Sequence, residues 1–170
     1  MNVVITLPAD LIAAIKNGKK CFELRSKLPR NFDTNKDVVF VCQKGTKNVP
    51  IALTIYKFYS YGKLSDSDYM LAERAGVPVE WVWDYMAKHN SIYAWVIGYI
   101  VNLHNPAQVW SDLHIKSNPQ SFIYRELDWR QLVVDNYSVS RFLTYSDMDK
   151  MMHPKKLRYN YLLQQKKAIQ

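Results

Sequence analysis

Glycine is scarce in this chain, five among 170 residues, which excludes a collagen-like repeat or a flexible-linker composition. Cysteine is scarcer still. Cys21 and Cys42 alone give neither a disulfide framework nor metal-site spacing, and they read as reduced thiols of a cytoplasmic protein. The four histidines (His89, His104, His114, His153) form no HxH or HxxxH pair. No metal and no organic cofactor is therefore indicated. Long apolar runs are also missing. The most apolar stretch, Ile92–Val101, is about half the length a membrane helix requires. The early run Val3–Leu7 has no Lys or Arg before it and is broken by Pro8 and Asp10, unlike a secretory signal. A membrane partner is not expected.

What is present is an apolar, aromatic-rich globular composition, 48% hydrophobic and 14% aromatic, too rich in core-forming residues for disorder. The length fits one domain with an appendage. The net charge of +8 is concentrated at the two ends of the chain. Residues 1–30 carry +4 and residues 150–170 carry +6, the latter without a single acid, while the middle carries −2. Clustered positive charge is the electrostatic footprint of a phosphate-bearing partner. For the C-terminal cluster, a solvated basic tail is the alternative.

The hydrophobic pattern predicts a strand at Asn2–Leu7 and a helix at Ala9–Asn17 ended by Gly18. A strand follows at Lys19–Arg25, with Phe22 and Leu24 on one side and Cys21, Glu23 and Arg25 on the other. Leu28–Lys36 reads as a loop, and Val38–Gln43 and Ile51–Ser60 as strands. Asp66–Gly76 and Val79–His89 form two short helices split by Gly76-Val77-Pro78. Ile92–Leu103 is a central strand, Pro106 starts a loop, and Phe122–Arg125 is a short strand. Asp128–Val134 is ambiguous, and Ser138–Met152 reads as a helix stopped before Pro154. The order of elements favours an α+β fold with a mixed or mostly antiparallel sheet over a doubly wound one. The expected organisation is one domain over 1–150, with a helical insertion at about 62–90 and a basic extension over 151–170.

One motif stands out. Gly18-Lys-Lys20-Cys-Phe-Glu23-Leu-Arg25 falls between a helix and a strand, and it resembles the ASCH domains of the PUA-like superfamily. Their signature, G-x-K-x-x-E-x-R, is supplied in full by Gly18, Lys20, Glu23 and Arg25. The resemblance covers residues 2–60 and 91–103. It implies a PUA-like small β-barrel with a cleft beside this strand, used to bind RNA or a nucleotide.

The chemistry of these side chains agrees. Lys20 and Arg25 are donors for phosphate or a base edge, Arg25 as a planar fork and Lys20 as a point charge. Glu23 can orient the guanidinium or accept from a base amino group. A surface ion pair of small energetic weight, under about 1 kcal/mol, is the plainer alternative. Members of the family that remove an acetyl group from modified cytidine look like G-x-K-T-x-T-x-R, with a threonine nucleophile. Here Glu23 takes that threonine's place, beside Lys20 and Cys21. A carboxylate substitutes poorly for an activated hydroxyl. Cys21, flanked by the cations Lys19 and Arg25, is the other nucleophile candidate.

The expected nucleic-acid-binding residues are Lys19, Lys20, Glu23 and Arg25, one strand aromatic with Trp95 the first choice, and Lys155, Lys156 and Arg158 of the tail. Catalytic candidates, should the chain be an N4-acetylcytidine amidohydrolase-like enzyme, are Lys20, Glu23 and Cys21. In the inserted helix Trp81 and Tyr85 share a face and Trp83 points elsewhere. Trp83 is a candidate lid or partner surface, and burial in a satellite core is the commoner fate. Three readings stand: a protein binding RNA or a modified nucleotide (with DNA as a further partner), an enzyme of the same fold acting on a modified nucleoside, and a protein-interaction or inhibitor module.

Overall fold

The structure, a computed structural model, describes residues 1–62, 68–134 and 137–141. The elements run β1 (Asn2–Leu7), α1 (Ala9–Lys16), β2 (Phe22–Arg25), β3 (Val39–Gln43), β4 (Ile51–Tyr61), α2 (Asp68–Ala75) and α3 (Val79–Lys88). They continue with β5 (Ile92–Leu103), α4 (Pro106–Asp112), β6 (Phe122–Arg125), α5 (Trp129–Val134) and β7 (Tyr137–Arg141). Six strands lie in the order β2-β5-β4-β3-β1-β6, and β7 pairs with the far half of β5. Among the described residues only β1 and β3 pair in parallel. That crossover encloses α1 and β2, long enough for the connection a parallel pair requires. The fold is α+β with a mixed sheet, as expected.

The sheet is rolled but not closed. Its inner face carries Val3, Ile5 and Leu7 from β1, Val39 and Val41 from β3, Ile51, Leu53 and Ile55 from β4, and Trp95 and Ile97 from β5. Ile12 and Ile15 of α1 plug this core from one end. Trp95 on β5 meets Phe122 on β6, at the far end of the strand order, with ring centroids 5.8 Å apart. No backbone ladder joins β2 to β6 among the described residues. The barrel expected from the sequence is therefore an open one, with side chains spanning the gap between its edges.

The curl of β4 and β5 has a local cause. Their register slips between Leu53 and Lys57, and a Cβ on Gly98 would stand 2.6 Å from Thr54 Oγ1. Only glycine admits that approach. Thr54 Oγ1 accepts from the Tyr99 backbone N–H at 2.7 Å, which satisfies a donor at the irregularity.

Two further clusters pack outside the sheet. Phe40, Cys42, Val101 and Leu103 meet Val109, Trp110 and Leu113 on and after α4. Phe22, Leu24, Ala94 and Val96 meet Leu71 and Ala75 of α2 and Val82 and Met86 of α3. Burial pushes the pKa of the Cys42 thiol up to about 12, so this cysteine packs as a small hydrophobe. No helix of the described residues is long and apolar enough to cross a membrane.

Two predicted elements differ. The loop expected from Pro106 is α4, with Pro106 in its first turn, where its fixed φ suits a helix start and its missing N–H is no loss. The helix expected from Ser138 is a strand as far as Arg141, paired with Ile100–Leu103. The open edge of β5 overrides local propensity there. The rest of that predicted helix, and the tail, lie outside the described residues.

Candidate functional site

The Gly18–Arg25 segment folds as its residue types dictate. α1 ends at Lys16, and Gly18 takes φ +78°, the left-handed conformation that reverses the chain at little steric cost. The Gly18 N–H donates to Ile15 O and the Lys20 N–H to Ala14 O, both at 3.0 Å, capping the helix. The Cys21 N–H then donates to Arg74 O at 2.7 Å, which docks the segment against the end of α2. On β2, Glu23 pairs with Trp95 and Arg25 with Tyr93. Both side chains therefore face the inside of the rolled sheet.

Lys20, Glu23 and Arg25 form one ionic network. Lys20 Nζ stands 3.0 Å from Glu23 Oε2, and Arg25 Nε stands 2.9 Å from Glu23 Oε1. Lys20 and Glu23 are buried, at 3% and 4% exposure. Lys20 Nζ also donates to Phe22 O at 2.7 Å and Ala75 O at 2.9 Å. The ammonium thus has two carbonyl acceptors, one of them at the C-terminus of α2, where a cation is favoured, and the Glu23 carboxylate as its ion-pair partner. The Arg25 Nε–H is close to Glu23 but poorly aligned for a hydrogen bond, so that contact is an ion pair. Arg25 Nη1 donates to Ser121 O at 3.1 Å, the residue before β6. One arginine thereby ties the two open edges of the sheet.

The network borders a cleft of about 340 Å³. β1 and the start of α1 contribute Thr6, Leu7, Pro8 and Leu11, and β2 contributes Glu23, Leu24 and Arg25. The α2–α3 segment contributes Ala75, Val77, Trp81 and Tyr85, and Gln120 lies before β6. Thr6 Oγ1 has no hydrogen-bond partner among the described residues. Among the described residues the charged lining is Lys20, Glu23 and Arg25, one net positive charge.

The α2–α3 segment is positioned by its own turn and by Lys20. Gly76 takes φ +66° between α2 and α3, and Lys20 holds Ala75 O just before it. On α3, Trp81 and Tyr85 stack at 4.8 Å and 14°, and His89 approaches Tyr85 at 4.5 Å. The Tyr85 hydroxyl accepts from the Ser26 N–H at 2.9 Å, which holds α3 over the end of β2.

Of the residues singled out from sequence, the fold brings Lys20, Glu23 and Arg25 together in the cleft. Lys19 is exposed and outside the lining. Cys21 is buried against α2, with Sγ 3.5 Å from Gly18 O, and does not line the cleft. Trp95 is fully buried in the inner core and offers no face for stacking. Its side of β5 is covered by Phe58 and Phe122. Trp83 does not form a lid: its Nε1 donates to Asp68 Oδ2 at 3.1 Å and its ring meets Tyr69 edge-on at 6.0 Å. Lys155, Lys156 and Arg158 lie outside the described residues. The aromatic lining that sequence reasoning missed is Trp81 and Tyr85. Their shared helix face was legible, but which face meets the cleft was not.

Solved structures share this architecture. A serine-to-alanine variant of the ASCH protein from Zymomonas mobilis matches with a TM-score of 0.64 at 17% identity, over 81% of this chain and 96% of that one. A tyrosine-to-phenylalanine variant gives 0.58 at 19% identity, over 81% and 99%. A further ASCH structure from that organism gives 0.58 at 18%, over 81% and 96%. No protein-family model and no curated protein matches the chain. The fold is of the ASCH type.

Proposed function

On the premise of an ASCH-type fold, we propose that this cleft binds a nucleotide, presented by single-stranded RNA. The observation that carries the reading is Glu23 fixed on the cleft wall between a buried Lys20 and Arg25. Such an arrangement sets a carboxylate acceptor beside a guanidinium donor, the pair of functions that a base edge and its phosphate require. Lys20 serves as the internal counter-charge of Glu23, because it is buried and held by the Phe22 and Ala75 carbonyls beside the carboxylate. A nucleophile for hydrolysis is not supported at Cys21, which faces away from the cleft. The volume, about 340 Å³, is at the small end of ligand sites and suits one nucleotide unit.

The test is fluorescence anisotropy with labelled single-stranded RNA, single-stranded DNA and duplex, at about 50 and 200 mM salt. Single-stranded RNA should bind best, and Arg25→Gln should weaken it by about tenfold or more, the scale of one charge-assisted hydrogen bond. Circular dichroism checks that the variant keeps its fold. Absence of binding to every oligomer, or unchanged affinity in Arg25→Gln, would overturn the proposal.

A further inference from the structure

α3 presents its side chains in separate stripes. Val82 and Met86, four apart, are buried against β2 and β5 at 0% and 3% exposure. Trp83 is spent on α2 through Asp68 and Tyr69. Trp81, Tyr85 and His89, each four residues on from the last, form a ladder of rings. Tyr85 is occupied within that ladder by neighbours on both sides and by its bond to Ser26. Trp81 is its end member. It remains 41% exposed and lines the cleft that holds Glu23 and Arg25.

The two-fifths of this indole left in water adds nothing to the core, since apolar side chains stabilise only by the area they bury. Its position does suit a ligand. An aromatic ring beside a carboxylate and a guanidinium is the combination that holds an unstacked base: the ring takes the π-face and the polar pair takes the edge. The stacked Tyr85 fixes the Trp81 ring, so little side-chain freedom is left to lose on binding.

We infer that Trp81 is the stacking platform for a single unpaired base, and that this residue makes the cleft select bases over bare phosphate. The inference rests on the nucleotide reading above and deepens it. A base inside a duplex has both faces covered by its neighbours, so it enters only after unstacking and unpairing. α3 thus supplies base selectivity, while β2 supplies the polar contacts. Because stacking carries no hydrogen-bond code, Trp81 should tolerate all four bases.

The experiment compares a short single-stranded RNA with a fully abasic oligomer of the same length and phosphate count. Wild type, Trp81→Ala, Trp81→Phe and Arg25→Gln are measured against both. Alanine is the strongest helix former, so Trp81→Ala should leave α3 intact, which circular dichroism checks. The wild type should prefer RNA over the abasic oligomer by about 5- to 150-fold, the range of one base–aromatic stack. Trp81→Ala should cut that preference by about fivefold or more by weakening RNA alone, leaving only what the base edge gains from Glu23 and Arg25, and Trp81→Phe should keep most of it. A preference unchanged in Trp81→Ala would overturn the inference, and a loss in Arg25→Gln would then leave the nucleotide reading standing. Equal wild-type affinity for the two oligomers would overturn both the stacking platform and the base-edge contacts. Binding to neither oligomer would overturn both.

Discussion

Glu23 is the acceptor on which both cations of the cleft depend. Without it, Lys20 keeps only two carbonyl partners at 3% exposure, and Arg25 loses its neighbouring charge. Removing one partner of a buried ionic network leaves desolvated charge uncompensated, so Glu23→Ala should cost about 3–5 kcal/mol in guanidinium unfolding. A combined Lys20→Met, Glu23→Leu, Arg25→Met replacement should recover most of that stability, because an apolar set of similar volume has no desolvation penalty. It should also bind no RNA. If Glu23→Ala unfolds at the wild-type midpoint, solvent and not pairing satisfies the two cations. At this scale the sequence was informative. The spacing of Glu23 and Arg25 put them on one strand face, and Gly18 marked the left-handed turn before Lys20. The second carbonyl acceptor of Lys20, Ala75 O, is 55 residues away, and no local pattern announces it.

Among the elements, α3 shows how one short helix divides its duties. Trp81 and Trp83 are two residues apart with similar exposure, 41% and 38%, yet one lines the cleft and the other braces α2. Trp83→Phe should therefore lower stability by about 1 kcal/mol, the net value of a typical hydrogen bond, as read by thermal unfolding. RNA affinity should stay within about twofold of wild type. A larger loss of affinity in Trp83→Phe than in Trp81→Ala would mean that the ladder is not the binding stripe. Helical periodicity separated the two tryptophans in sequence. The stripe that meets the cleft depends on how Val82 and Met86 dock on β2 and β5. β7 makes the same point from the other side. Its segment has a plausible helix start at Ser138, and an unfilled edge of β5 decides for a strand.

For the whole molecule, charge and cleft are separable. The described lining of the cleft carries one net positive charge, whereas the last 21 residues carry six of the chain's basic residues and no acid. Truncation after His153 removes Lys155, Lys156, Arg158, Lys166 and Lys167. If those cations neutralise phosphates, the slope of log affinity against log salt should become shallower in the truncated chain. The change should be about 0.7 for each phosphate of a single strand that the tail had neutralised. The preference for RNA over the abasic oligomer should survive, since it resides in the cleft. Loss of that preference on truncation would place base selectivity in the tail.

The sequence alone determined the α+β class, most of the elements and the three charged residues of the cleft, because periodicity, capping residues and motif spacing act over a few neighbouring positions. It also determined that Trp81 and Tyr85 share a face. Tertiary structure alone decided the rest: that the sheet rolls without closing, that Trp95 is sealed inside, and that Cys21 turns away. It likewise decided that α3 brings Trp81 to the cleft. Each of these depends on contacts between segments far apart in the chain, such as Arg25 to Ser121, Lys20 to Ala75 and Tyr85 to Ser26. Local preference has no term for such contacts, and the burial of the sheet's two faces supplies it.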